Sequence, residues 1–142
     1  MKRFGLITMV VMMAVGLFAQ SPAAPTVPQA AAPIISFEKT LHDFGKFNEQ
    51  DGTVTNIFRF TNTGNAPLVI NRVHAACGCT TPSWTREPLL PGQSGTITAS
   101  FNPAGRPGAF LKTISVFTNM GPNASTLSIK GEVIPRPAVS RD

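Results

Sequence analysis

The sequence has no tyrosine and few residues that commonly carry chemistry, with one tryptophan, two histidines and two cysteines among 142 residues. The tyrosine corner and the Cys–Trp–Cys framework of antibody domains are therefore excluded. Charged residues make up only 13% of the chain, and the lysines and arginines form no cluster. A nucleic-acid partner is excluded on that ground, because it would need a concentrated basic surface.

Enzyme motifs and helical periodicity are also missing. The chain has no Gly-x-Ser-x-Gly elbow, glycine-rich phosphate loop or His-Glu-x-x-His motif. Its acidic residues are scattered and form no evident acid/base pair. The protein is therefore predicted not to be an enzyme and to need no cofactor. Long apolar runs at helical spacing are absent, which argues against a parallel βαβ architecture.

The N-terminus has the pattern of a secretory signal peptide. Lys2 and Arg3 precede an uncharged, mostly apolar stretch at residues 6–18, and small residues follow. Cleavage after Ala19 gives a signal peptide of residues 1–19, with a second possible site at residues 21–23; an uncleaved membrane anchor is the alternative. Removing the signal lowers the formal charge from +5 to +3, since ten basic and seven acidic residues remain. The protein is predicted to be exported to the periplasm, the cell surface or the medium, with no membrane span after cleavage.

Residues 20–33 contain four prolines and no charge. Such a composition cannot bury a core, and it predicts an extended tether. We therefore expect a folded domain at residues 34–135 and a short C-terminal tail at residues 136–142. About 100 residues is a usual size for one β-sandwich.

Short apolar runs in this region alternate with polar residues at a period of two, the pattern of half-buried strands. In residues 95–101, Ile97, Ala99 and Phe101 are predicted to point inward between outward-facing threonine and serine residues. Related patterns in four other runs also predict inward side chains, with a local irregularity in residues 67–74. The predicted inward residues are Val54, Phe58 and Phe60 in residues 54–62, Leu68 and Ile70 in residues 67–74, Phe110, Ile114 and Val116 in residues 110–118, and Leu127, Ile129 and Val133 in residues 126–133. Ile57 breaks the alternation, and Leu111 and Phe117 fall on the face opposite Phe110. Turn residues such as Pro91-Gly92 separate the runs. The pattern predicts an all-β, immunoglobulin-like antiparallel sandwich of about seven strands.

A set of residues along the whole domain points to a known family. In chain order the set is Phe37-x6-Phe44-Gly45, Phe58-x-Phe60-x-Asn62-x-Gly64-x2-Pro67-Leu68-x-Ile70, Cys77-Gly78-Cys79-Thr80, Pro91-Gly92, Gly108-x-Phe110-x-Lys112-x-Ile114 and Gly131-x-Val133. This ordered set resembles a family of secreted bacterial proteins catalogued as DUF1573, a domain of unknown function, and more distantly the Hydin-like immunoglobulin domains. The resemblance implies an immunoglobulin-like sandwich and no established activity.

Cys77-Gly78-Cys79 is the one constellation with evident chemistry. In an extended strand, residues two apart lie about 6.6 Å from each other, at the upper end of the Cα separation of disulfides. Gly78 can bend the chain and bring the sulfur atoms together. The pair is interpreted in three ways: a local structural disulfide or buried thiol pair, a strained and readily reduced redox pair, or part of a soft-metal site.

The metal interpretation adds His74, because His74, Cys77 and Cys79 would give three ligands for copper or zinc within six residues. A lone histidine near a strand end is otherwise an ordinary surface residue. The leading hypothesis is an exported structural or protein-binding module whose partner is another envelope or extracellular protein. Thiol-redox or metal handling through Cys77 and Cys79 is the alternative. The sequence leaves the oligomeric state open.

Overall fold

The computed structural model describes residues 30–138. The predicted signal peptide (1–19), the first part of the predicted tether (20–29) and residues 139–142 lie outside this range. Between residues 30 and 138, no helix is long and apolar enough to cross a membrane. A short 3-10 helix spans Glu49–Asp51. The strands are β1 (Ile35–Phe37), β2 (Leu41–Asn48), β3 (Val54–Asn62), β4 (Ile70–Ala75), β5 (Thr80–Trp84), β6 (Ser94–Phe101), β7 (Gly108–Thr118) and β8 (Ser125–Ile134).

The strands form two four-stranded sheets, which confirms the predicted all-β sandwich. The first sheet has the order β1-β3-β6-β5 and the second the order β2-β8-β7-β4. Pairing within residues 30–138 is antiparallel except between β2 and β8, which run parallel. The expected antiparallel pairing therefore needs correction at this pair. The parallel pair arises because the chain passes from the first sheet to the second between Phe37 and Leu41. The sequence could not show this, because a period of two indicates which face of a strand is buried but not the direction in which the strand runs.

The core lies between the sheets and is built from the alternate residues of the strands. Phe60 and Phe101 are fully buried, and the ring of Phe101 stacks on that of Phe110 with centroids 4.0 Å apart. The inward positions predicted for residues 54–62, 95–101, 110–118 and 126–133 are confirmed. The buried hydrophobic residues are Phe58, Phe60, Leu68, Ile70, Val73, Cys79, Leu89, Ile97, Ala99, Phe101, Ile114, Val116, Leu127, Ile129 and Val133.

Apolar side chains also lie on the outer faces, where the sequence pattern is irregular. Leu111 is 63% exposed and Ile57 is 54% exposed. Phe117 is half-buried, and the guanidinium of Arg72 lies 4.3 Å from its ring centroid. These residues face away from the core, as their positions in the alternation predict.

Asn62 is a fully buried polar residue at the end of β3. Its Oδ1 accepts hydrogen bonds from the backbone N–H groups of Gly64 (3.0 Å) and Ile34 (3.3 Å). Its Nδ2 donates to the carbonyl oxygens of Ala66 (2.7 Å) and Leu89 (2.9 Å). One side chain thus satisfies four main-chain groups and connects the start of the domain to the turn after β3.

Candidate functional site

The two cysteines form a disulfide in the turn between β4 and β5. The Cα atoms of Cys77 and Cys79 are 5.3 Å apart, closer than in an extended strand, so the chain bends at Gly78 as predicted. The backbone N–H of Thr80 donates to the carbonyl of Cys77 (3.3 Å) and closes the turn.

Hydrogen bonds attach this turn to both sheets. The N–H of Ala76 donates to the carbonyl of Thr113 on β7 (3.0 Å), in the second sheet. The N–H of Asn102, next to the end of β6 in the first sheet, donates to the carbonyl of Cys79 (2.9 Å). The disulfide therefore lies where the chain crosses from one sheet to the other.

The two sulfur-bearing residues differ in exposure. Cys79 is 6% exposed and belongs to the core, whereas Cys77 is half-buried. Gly78 is exposed between them. The hydroxyl of Thr80 lies 3.8 Å from the sulfur of Cys77 and 4.0 Å from that of Cys79. Of the two cysteines, Cys77 is the more exposed to a reagent from solvent.

A cavity of about 380 Å³ opens beside the disulfide; we call it the disulfide cavity. It combines apolar walls with two positively charged side chains, and no carboxylate lines it. Arg106 is held by hydrogen bonds from its Nη1 to the carbonyls of Ala104 (2.9 Å) and Asn102 (3.4 Å). Lys112 comes from the inner face of β7. The lining residues are Cys77, Gly78, Cys79, Phe101, Arg106, Pro107, Ala109, Phe110 and Lys112.

The structure does not gather the three candidate metal ligands into one site. His74 is exposed on β4, opposite Ser115 of β7, whereas the adjacent Val73 is buried. Cys77 and Cys79 are bonded to each other, and a metal requires free thiolates. Residues 30–138 contain no group of three or more His, Cys, Asp or Glu side chains placed to hold a metal ion. Copper or zinc binding by the reduced protein stays a prediction.

A second feature, which the sequence analysis did not identify, lies at the other lateral edge of the sandwich. The main chain of odd-numbered residues in β3 faces away from β6, as the hydrogen bond from the N–H of Glu38 to the carbonyl of Arg59 (3.1 Å) shows. Strand β1 is short and pairs only with residues 60–62. In the described part of the chain, no strand pairs with Thr55 or Ile57 on this side. We call this unpaired stretch the β3 edge.

A cavity of about 300 Å³ lies beside the β3 edge. Leu41 and Ile57, which are 47% and 54% exposed, border it, and Phe58 contributes from the core. Charged side chains of both signs and one imidazole also line the cavity. They are Glu38, Lys39, Arg59 and His42. The break that Ile57 makes in the alternation was the one sequence signal for this surface.

Two carboxylates bind main-chain groups rather than lining the disulfide cavity. The oxygens of Glu49 accept from the N–H groups of Gly105 (2.7 Å) and Arg136 (3.3 Å), and these bonds lower the pKa of Glu49. The N–H of Gly45 donates to Asp43 (2.8 Å) and lowers the pKa of that carboxyl, with a smaller contribution from Lys130. Glu49 therefore links the loop before β7 to the segment after β8, whereas the bond of Asp43 lies within β2.

Comparison with known proteins supports the fold and leaves the activity open. A family model described as "Protein of unknown function (DUF1573)" matches residues 35–133. A comparison with curated protein sequences gives no match. A protein of unknown function from Porphyromonas gingivalis W83 is similar in structure, with a TM-score of 0.64 and 20% sequence identity over 76% of this chain and 50% of that protein.

The VesB protease of Vibrio cholerae is also similar in structure, with a TM-score of 0.58 and 16% identity over 69% of this chain and 31% of the protease. The chain spans half the length of the Porphyromonas protein and less than a third of VesB. At these identities the likeness concerns the fold alone.

Proposed function

Because the chain belongs to DUF1573, a family of proteins of unknown function, its role has to be inferred from its own surfaces, and we propose that it is an exported, non-catalytic protein-binding module. Its partner is an extended segment of another envelope or extracellular protein. That segment pairs with the β3 edge as an added strand. The observation that carries this proposal is the unpaired main chain of Thr55 and Ile57 on one side of β3, a strand whose other side is paired with β6 from Val54 to Thr61.

An added strand would make main-chain hydrogen bonds that the fold leaves unmade. The N–H and carbonyl groups of Thr55 and Ile57 point toward the space beyond the end of β1. Each buried backbone hydrogen bond contributes about 0.5–1.5 kcal/mol net. Four such groups, held in place by the pairing of β3 with β6, form a preorganised template.

The side chains around the β3 edge define the chemistry of the guest. Alternate residues of an added strand would point into the cavity beside Phe58 or outward beside Ile57. Apolar guest residues at alternate positions would cover Leu41 and Ile57, the exposed apolar side chains at this place. Charges of both signs surround the cavity, so the guest needs no strong net charge. We therefore infer an uncharged, strand-forming peptide with alternating apolar residues.

Amide hydrogen exchange of the free protein, measured by NMR, tests the premise. The amides of Asn56 and Phe58 face β6 and should exchange slowly, whereas those of Thr55 and Ile57 should exchange faster. A capped peptide of alternating valine and threonine should then slow exchange at Thr55 and Ile57. The same peptide with its valines replaced by proline should not, because proline cannot donate to a ladder.

A pair of variants separates main-chain pairing from side-chain contact. Thr55→Pro removes the outward N–H, and Thr55→Ala removes the same side-chain hydroxyl but keeps that N–H. We expect the valine–threonine peptide to bind Thr55→Ala and to bind Thr55→Pro weakly, with both variants checked for folding by thermal unfolding. Equal binding by the two folded variants, slow exchange of Thr55 in the free protein, or peptide-induced protection elsewhere would contradict the proposal.

A further inference from the structure

The disulfide lies beside a second unpaired strand edge. Strand β4 pairs with β7 only as far as Ile114, and the N–H of Ala76 then bonds to the carbonyl of Thr113. By the alternation of a strand, the main chain of Ala109 and Leu111 faces the same side. In the described residues, no strand pairs with this stretch there. The disulfide cavity, which Ala109 also lines, lies along this stretch.

The disulfide cavity supplies conditions that favour thiol chemistry. Cys77 is the more exposed of the two cysteines, so we expect an incoming thiolate to attack its sulfur first. Arg106 and Lys112 line the same cavity as both sulfur atoms, and no carboxylate there opposes their charge. Positive side chains favour the thiolate over the thiol, so they assist both the attacking and the leaving sulfur.

We propose that the Cys77–Cys79 disulfide oxidises the thiols of a dithiol-bearing protein segment that docks on β7 at Ala109 and Leu111. This activity goes beyond the binding proposed for the β3 edge. The disulfide cavity and the β3 edge are separate surfaces, on opposite sides of β6. The reaction is stoichiometric, with one dithiol consumed per chain. Oxidised protein is the reagent, and the substrate dithiol is the reductant.

The exchange has two steps. A substrate thiolate attacks the sulfur of Cys77, the Cys77–Cys79 bond breaks, and its electron pair leaves on the sulfur of Cys79. The second substrate thiolate then attacks the substrate sulfur of the mixed disulfide and releases Cys77 as a thiolate. The substrate gains a disulfide and loses two electrons, and Cys77 and Cys79 take up those electrons and the two protons.

Single-cysteine variants test which sulfur is attacked. Cys79→Ser leaves Cys77 as the free thiol, and Cys77→Ser leaves the buried Cys79. With oxidised glutathione as the probe, we expect Cys79→Ser to form the mixed disulfide at least about tenfold faster, because access controls exchange. Equal rates in the two folded variants would overturn the assignment of Cys77.

The role of the positive charges has its own control. In the Cys79→Ser background, Lys112→Gln and Arg106→Gln should move the alkylation–pH profile of Cys77 to higher pH. Lys130→Gln removes a charge outside the disulfide cavity and should leave the profile in place. An unchanged profile in both Lys112→Gln and Arg106→Gln would overturn the assignment of these two charges to the thiolate.

The full reaction is tested with the native oxidised protein and a reduced two-cysteine peptide. We expect folded protein to lose its disulfide as the peptide gains one, in equal amounts by mass spectrometry. A disulfide that this peptide reduces only after the protein is unfolded would overturn the proposal. That result would leave the β3 edge untouched, since the peptide used there has no cysteine.

Discussion

Replacing Asn62 by alanine should destabilise the fold, although Asn62 is a polar residue at the end of a strand. Removal of the amide leaves two N–H donors and two carbonyl acceptors without their present partner. The carbonyl of Leu89 keeps the hydrogen bond from the N–H of Leu68 (2.8 Å). The bond from Ile34 is already long at 3.3 Å. The loss therefore falls mainly on Gly64 N–H and Ala66 C=O.

The magnitude follows from these two groups. An unsatisfied buried polar group costs about 1–3 kcal/mol, and both bonds lie in a part-buried region, so water relieves part of the cost. We expect Asn62→Ala to lower the free energy of unfolding by about 2–4 kcal/mol in the mature chain. That is a large share of the roughly 5–15 kcal/mol of a typical domain.

Urea unfolding followed by circular dichroism measures this change, with Thr61→Ala as the control. Thr61 is adjacent, but its hydroxyl bonds to Ser94 on the outer face (2.8 Å), and an exposed substitution should change stability by no more than about 0.5 kcal/mol. Faster amide exchange at Gly64 should accompany Asn62→Ala. If Asn62→Ala is as stable as Thr61→Ala, the buried amide does not hold this turn and the reasoning is refuted.

The remaining predictions concern the core, the pH dependence and export. Phe101→Ala should lower the free energy of unfolding in urea by about 3–5 kcal/mol. Replacing Cys77 and Cys79 together by serine should lower it less, because so short a disulfide ring removes little entropy from the unfolded state. The reverse order would show that the disulfide contributes more to stability than this core side chain. Backbone N–H groups lower the pKa of Glu49 in the folded protein. Ionised Glu49 therefore stabilises the fold at pH values above the ordinary glutamate pKa, and this stabilisation is lost as the pH falls through the lowered pKa. In Glu49→Gln, the free energy of unfolding should therefore fall less steeply as the pH is lowered than it does in the natural protein. An unchanged dependence of this free energy on pH would refute the prediction. Mass spectrometry of exported protein should find a mature N-terminus within residues 20–24, and an intact Met1 would count against export by cleavage.

The inner faces of the strands could be predicted because burial follows a period of two. Phe58, Phe60 and Ile97 are predicted to point inward whatever strand each of their strands pairs with, since the side chains of a strand alternate between its two faces. The irregularity in the residue 67–74 run is also confirmed: Leu68 forms an isolated bridge with Leu89, and the regular strand begins at Ile70. Local pattern is sufficient for these features.

Partner choice between strands could not be predicted, because it depends on contacts between distant parts of the chain. The parallel pairing of β2 with β8 leaves no mark on the alternation of either strand. The shortness of β1, which leaves the β3 edge open, has the same origin. At the disulfide, the sequence pointed to Cys77 and Cys79, but Arg106 and Lys112 join them only through folding of the loop before β7 and of β7 itself.

The β3 edge also differs from its neighbours in how it is protected. Exposed strand edges promote aggregation, and proteins block them with proline, bulges or very short strands. Strand β5 carries Pro82, strand β2 is interrupted by a shift of register between Asp43 and Lys46, and β1 has only three residues.

Thr55 and Ile57 provide no such protection. Neither is charged or a proline, and both have high strand propensity. The fold protects β1, β2 and β5 in these ways but leaves the strand-forming β3 edge open, and the opening itself adds nothing to stability. Pairing with a guest strand accounts for that difference, and this is why we assign binding to the β3 edge rather than to β1, β2 or β5.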